Sequence, residues 1–240
     1  GLRILVKPMR RSDWRAAQHP DTLLANSHYV ADEIKRYYGR PSQVLFPLAQ
    51  VDQIKLASQQ VKAKDIRQIH QELFRGGDFY VVAGRQVNWK RFDLAIRACL
   101  KTGENLLVIG SGPEHNSLVK LAGGNSQIKF LPKYDGVGEI VKYYRSAKGL
   151  IFPSLEPFGI VPVEALASGL PVLVFRRGGS ADIIRDGVNG LFFPEQTVSS
   201  LAEGIKRFNV AQFKKAQVVK SAERFSADHF RKNIKQIIEQ

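Results

Sequence analysis

Residues 152–174, FPSLEPFGIVPVEALASGLPVLV, decide the fold. A buried-strand run ends at Pro153, and a tight loop carries Glu156, Pro157 and Phe158. Gly159 opens a helix that extends to about residue 168, with Pro162 in its first turn, where a missing N–H costs nothing. Residues 171–175, PVLVF, return as the next strand. Strand, loop, helix and strand in so short a span is the repeating unit of a parallel sheet.

The same rhythm runs outward from this stretch. FYVVAG (79–84) is a strand ending in glycine. KRFDLAIRACLK follows as a helix, with Phe92, Ala95, Ile96 and Cys99 at helical spacing. Strands are expected at 105–110, 127–131, 149–153 and 190–193, and helices at PEHNSLVKLA, led by Pro113, and GEIVKYYRSA. The alternation predicts an α/β, Rossmann-like, doubly wound parallel sheet, which binds ligands outside the carboxyl ends of its strands. The first part of the chain differs: HYVADEIKRYYG is an amphipathic helix, followed by a strand at QVLFP. Residues 1–48 read as the tail of a preceding domain, and 49–60 as a hinge within the polar stretch VDQIKLASQQVKAKD. Residues 61–225 read as the ligand-binding domain and 226–240 as a closing helix, N-capped by Ser226 and striped with Phe230, Ile234 and Ile237.

Composition narrows the classes. With 44% hydrophobic and 24% charged residues, 240 residues bury a sizeable core without staples. The single cysteine, Cys99, lies in an apolar pattern, cannot form an intrachain disulfide and fits a reducing, cytoplasmic setting. No apolar run approaches a membrane span, and GLRILVKPMRRSDW lacks a signal-peptide core. The net charge of +14 favours an anionic partner. Arg10, Arg11 and Arg15 concentrate it early, and Lys214, Lys215, Lys220, Arg224, Arg231, Lys232 and Lys235 late. No nucleic-acid-binding signature claims that charge, so no nucleic acid is expected, and an anionic membrane surface on the inner face is the candidate. The five histidines show no metal-ligand spacing, Ser154 and Ser168 lack a nucleophile elbow, and no full G-x-G-x-x-G points to a dinucleotide. Tyr143 and Tyr144 lie on a helix and read as core and rim.

Glu156 and Glu164 bracket the start of the helix at Gly159, one in the loop and one about a turn inside. Unpaired backbone N–H groups at a helix N-terminus attract phosphate, and the flanking carboxylates accept hydrogen bonds from hydroxyls. An anion in the middle with polyol on both sides describes a nucleoside diphosphate sugar.

At this point the sequence resembles a known family. EPFGIVPVE followed by ALASGLPV is similar to the hallmark of the group 1 (family 4) retaining glycosyltransferases, two-domain GT-B enzymes. LLANSHYVADEIKRYYG, VVAGRQVNWKRFDLAIRA, LLVIGSGPE, RRGGSADIIRDGVNGLFF and the FSADHF helix resemble it as well. FGIVPVE and the final stretch are closest to polysaccharide-assembly mannosyltransferases. The resemblance implies hexosyl transfer with retention from a nucleotide sugar, GDP-mannose first and a UDP sugar as the alternative, to a glycan or lipid-linked acceptor. It implies no metal and no other cofactor. The implied acceptor domain is absent from the 240 residues. The chain is therefore expected to be the donor-binding half of an enzyme, or a stand-alone nucleotide-sugar module acting with a partner chain.

Roles follow by motif. The resemblance gives Glu156 the transferred sugar and Glu164 the ribose hydroxyls. Phe158, Gly159, Ile160 and Val161 offer backbone N–H groups, and Arg85 and Lys90 neutralise the diphosphate. Glu156, Arg85 and Lys90 are the expected catalytic set. Gly84, Gly110, Gly112 and Lys133 are expected at the donor too, although Gly110-Ser111-Gly112 reads equally as a tight turn. Gly178 and Gly179 are expected in a loop near the sugar. Three positions depart from the pattern: Arg91 stands where glycine is frequent, Pro132 ends a strand that commonly ends in glycine, and Asp182 replaces a glutamate.

Overall fold

The computed structural model describes residues 2–239. An N-terminal group comprises α1 (Leu2–Ala16), β1 (Leu24–Ala25), α2 (His28–Tyr38) and β2 (Gln43–Val44), followed by α3 (Val51–Gln60) and α4 (Ala63–Phe74). The alternating region then runs β3 (Phe79–Ala83), α5 (Phe92–Thr102), β4 (Asn105–Ile109), α6 (His115–Ala122), β5 (Ile128–Leu131), α7 (Gly136–Ser146) and β6 (Gly149–Phe152). It continues with α8 (Ile160–Ser168), β7 (Val172–Phe175), β8 (Gly190–Phe193), α9 (Val198–Val210), α10 (Lys215–Ala222) and α11 (Ala227–Ile238).

The six long strands form one parallel sheet in the order β5-β4-β3-β6-β7-β8. Strand residues alternate between two cores. Phe79, Val81, Leu107, Ile109, Leu150 and Val172 face α3, α7, α8 and α10. Tyr80, Val82, Leu106, Val108, Ile151 and Leu173 face α5, α6 and α9. Burial on both faces explains why the strands read as unbroken apolar runs. Each fully buried aliphatic side chain contributes about 1.5–3 kcal/mol.

Every strand expected from residue 78 onward is present within a residue or two. Three local readings change. QVLFP pairs only over Gln43–Val44, in parallel with Leu24–Ala25. Pro47 has no N–H to donate, and Phe46 instead packs edge-on to Phe225 at 5.5 Å between ring centroids. The polar stretch expected as a hinge is helical over 51–60, with Val51 and Ile54 buried in the core. Pro113 precedes α6, which starts at His115. Among the described residues no helix is long and apolar enough to cross a membrane.

Gly149 shows how tightly the layers meet. A Cβ there would stand 2.6 Å from the Phe208 ring and 3.1 Å from that of Tyr80. Both rings are held: Tyr80 Oη donates to Asn209 Oδ1 at 2.8 Å, and Phe208 stacks on Phe213 at 5.0 Å. Gly149→Ala is therefore expected to lower the unfolding free energy by roughly 1–3 kcal/mol, as overpacking does. A denaturant titration measures it, and an unchanged midpoint would mean that the two rings yield freely.

Candidate functional site

The sheet order reverses between β3 and β6, which are adjacent in space and separated by β4 and β5 in sequence. Chains leaving these two strands diverge to opposite faces, and the gap between them is the natural ligand crevice. Lys90, after β3, and Glu156, after β6, meet across it with Nζ 3.3 Å from Oε1, both side chains largely buried. The contact is electrostatic: Glu156 Oε1 is buried and has no hydrogen-bond partner. Lys90 Nζ also lies against Gly84, where a Cβ would be 3.1 Å away. An acceptor oxygen without a donor, held beside a cation, is equipped to take a hydroxyl.

α8 starts immediately beyond. Gly159 sits at φ 110°, a backbone conformation that glycine tolerates, and Pro162 lies in the first turn. Among the described residues the N–H groups of Phe158, Gly159, Ile160 and Val161 have no acceptor outside the helix's own ladder, so the N-terminus is open to an anion. The Phe158 side chain cannot contribute to a ligand. It is buried between Phe46 and Phe225, with ring centroids at 6.0 and 5.5 Å, and leaves only its backbone at the site.

Ser27, His28 and Asp182 hold this loop, a role that nothing local in the sequence marks. Ser27 is fully buried, and its Oγ donates to the Pro157 carbonyl at 2.5 Å while capping α2 through Val30 N at 3.1 Å. The His28 N–H donates to Asp182 Oδ2 at 2.7 Å, and the Arg224 guanidinium donates to the Asp182 carbonyl. Asp182 thereby ties α2 to the loop after β7. The Gly178–Gly179 pair lies directly behind residues 156–158. A Cβ on Gly179 would fall 2.0 Å from the Pro157 carbonyl oxygen, and the Gly179 N–H donates to Glu156 O at 2.9 Å.

On the other side of the crevice, Gly84, Arg85, Gly110, Gly112 and Lys133 line one open cleft of about 500 Å³ with Tyr134 as a wall. Gly110 and Gly112 have a packing reason for being glycine: a Cβ would stand 2.2 Å from Gly84 O and 2.4 Å from Gln86 O. Arg85 is exposed and, among the described residues, in no ion pair. Arg91 adopts φ 53°, which accounts for the frequency of glycine at this position in the family resembled above. Its guanidinium bonds Asp93 at 3.1 and 3.3 Å.

Glu164 sits one turn into α8. Burial pushes its carboxyl up to about 7. Burial, and then the Glu164 charge, raise the Tyr134 and Tyr144 hydroxyls as well. Tyr144 Oη is buried without a partner. Glu156 and Lys90 are thus brought into contact, and the cleft residues share one wall with Tyr134, whose neighbour is Glu164. Among the described residues no group of three His, Cys, Asp or Glu side chains converges.

Comparison with known proteins is decisive for the family. The model of the glycosyl transferases group 1 matches residues 64–225. The chain belongs to this family. It is 31% identical over 213 residues to a D-inositol 3-phosphate glycosyltransferase of Actinosynnema mirum, covering 80% of this chain and 49% of the relative. It is 36% identical over 132 residues to an uncharacterised glycosyltransferase of Methanocaldococcus jannaschii, covering 52% of this chain and 34% of that protein. The chain therefore spans a third to a half of the length of these curated relatives. Anabaena HepE in complex with UDP-glucose superimposes with a TM-score of 0.79 at 20% identity, over 96% of this chain and 67% of HepE. The sucrose-phosphate synthase of Thermosynechococcus elongatus gives 0.77 at 20% identity, over 98% and 61%. These likenesses show the GT-B, Rossmann-like fold of this group 1 glycosyltransferase chain.

The Glu164 carboxyl links the site to stability. The folded chain keeps its proton up to about pH 7, whereas an unfolded glutamate releases it near 4.5. The resulting stabilisation is complete below 4.5 and is lost as pH rises through 7; it amounts to at most about 3 kcal/mol. The melting temperature of wild type should therefore fall between pH 5 and pH 8 relative to that of Glu164→Gln, which stays neutral. Parallel profiles would contradict the burial of this carboxyl.

Proposed function

We propose that this chain binds the donor of a retaining hexosyltransferase and, within the complete enzyme, transfers a hexose from a nucleoside diphosphate sugar to a glycan or lipid-linked acceptor. The observation that carries the reading is the Lys90–Glu156 pair at the reversal of the sheet, beside the open N-terminus of α8. A diphosphate placed between Arg85, Lys90 and the N–H groups of Ile160 and Val161 meets positive charge from three directions. The leaving nucleoside diphosphate gains charge as the glycosidic bond breaks, so groups aimed there favour the transition state over the bound donor. These cations and N–H groups supply what a divalent metal would supply, and the proposal includes metal independence. Glu156 takes a hydroxyl of the transferred hexose, and Glu164 takes the ribose hydroxyls.

For the donor we assign GDP-mannose, on the resemblance of FGIVPVE and the closing stretch to mannosyltransferases. A UDP sugar is the second reading, because HepE, whose fold this chain shares, is described in complex with UDP-glucose.

Calorimetry separates the roles. At pH 8, where its buried carboxyl is ionised, Glu164→Ala should weaken nucleoside diphosphate and intact donor alike, by about tenfold or more, since a hydrogen bond to a charged group contributes roughly 1.5–3 kcal/mol. Glu156→Ala should leave the diphosphate near normal and weaken only the intact donor, and EDTA should change neither. Titrations with GDP, UDP and their hexose conjugates also rank the bases. Equal loss of diphosphate affinity in both variants would overturn the assignment of separate roles, and no loss in either would remove the proposal.

A further inference from the structure

A second cavity, of about 350 Å³, opens near the carboxyl ends of α7 and α8, whose amino ends face the crevice. Lys55 of α3, Arg145 of α7 and Lys215 of α10 line it, with no carboxylate among the lining residues. Lys55 is paired with Glu223 at 2.8 Å. Among the described residues, Arg145 and Lys215 take part in no ion pair and no side-chain hydrogen bond. Two donors are orphaned in the same place: Arg145 Nε and Ser58 Oγ are buried and have no hydrogen-bond partner.

The ordinary role for cations here would be to neutralise the carbonyls at helix ends. Part of that role is already filled. His70 Nε2 is bonded to Ser146 O at 2.8 Å, and Ser146 Oγ donates to Lys142 O at 2.8 Å, closing α7. Ser168 Oγ and the Leu170 N–H both donate to Ala165 O, at 2.7 and 2.9 Å, closing α8. Buried donors left unmade are costly, and an anion seated between the Arg145 and Lys215 head groups offers them an acceptor once the Arg145 and Ser58 side chains turn toward it. Val61, Ala167 and Val219 give the cavity an apolar wall that a short carbon skeleton can cover.

We propose that this cavity is an oxyanion site for phosphate or a small phosphomonoester, held by Arg145, Lys215 and Ser58 and separate from the donor crevice. Its residues lie on α3, α7 and α10, not on the loops after β3, β4 and β6.

The test is calorimetric titration of the 240-residue chain with inorganic phosphate and, separately, with glycerol 3-phosphate. Saturable binding is expected, weakened about tenfold or more by Arg145→Gln and less strongly by Lys215→Met. Arg85→Ala, which alters the donor crevice, should leave the Arg145-dependent part of the binding unchanged. Tighter binding of glycerol 3-phosphate than of phosphate would identify the apolar wall as part of the site, and equal binding would identify the anion alone as the ligand. Lys215 is exposed, so its variant carries the test even if Arg145→Gln lowers stability. The proposal is overturned if neither anion gives saturable heat, or if binding survives both Arg145→Gln and Lys215→Met. Loss in Arg85→Ala alone also overturns it, because it assigns the anion to the crevice; that outcome leaves the donor reading standing.

Discussion

Lys90 and Glu156 meet because β3 and β6 are neighbours in the sheet, and most of the remaining architecture serves that adjacency. The strands are buried on both faces, so neither can move without disturbing two cores. The crevice is consequently set by the least deformable part of the molecule, as precise placement of charge requires. The Glu156 carboxylate oxygen left without a hydrogen bond is costly to the fold, a cost that the proposed contact with a donor hydroxyl would offset.

The loop that bears Glu156 is held from behind by groups far apart in sequence. Ser27 and His28 come from the N-terminal group, Gly179 and Asp182 from the segment after β7, and Phe225 from the turn before α11. Phe158 illustrates the division of labour: its ring anchors the loop in the core while its backbone N–H, among the described residues, has no acceptor. The segment before the alternating region is thus bound to the Glu156 loop and its support by hydrogen bonds as well as by aromatic packing.

Much of this was legible in the sequence because strands buried on both faces announce themselves as apolar runs, and because glycine and proline mark the ends of each unit. Glu156, Lys90, Gly110 and Gly112 stand at such punctuation and could be found. Val51, Ile54 and Ala57 carried a helical period as well, but the polar residues among them made 49–60 read as a hinge. The tertiary partners of Ser27 and Asp182 could not be recognised, since a serine that caps a helix and an aspartate in a loop carry no local sign of a contact more than a hundred residues away. The burial that raises Glu164 is of the same kind, a product of the fold that no local pattern announces.

The placement of the diphosphate is the claim on which the rest stands, and a crystal structure of the chain grown with a nucleoside diphosphate measures it directly. The account predicts phosphate oxygens within hydrogen-bond reach of the Ile160 and Val161 N–H groups and of Arg85 or Lys90, with the ribose beside Glu164. A diphosphate bound away from the N-terminus of α8, with Lys90 and Glu156 undisturbed, would contradict it.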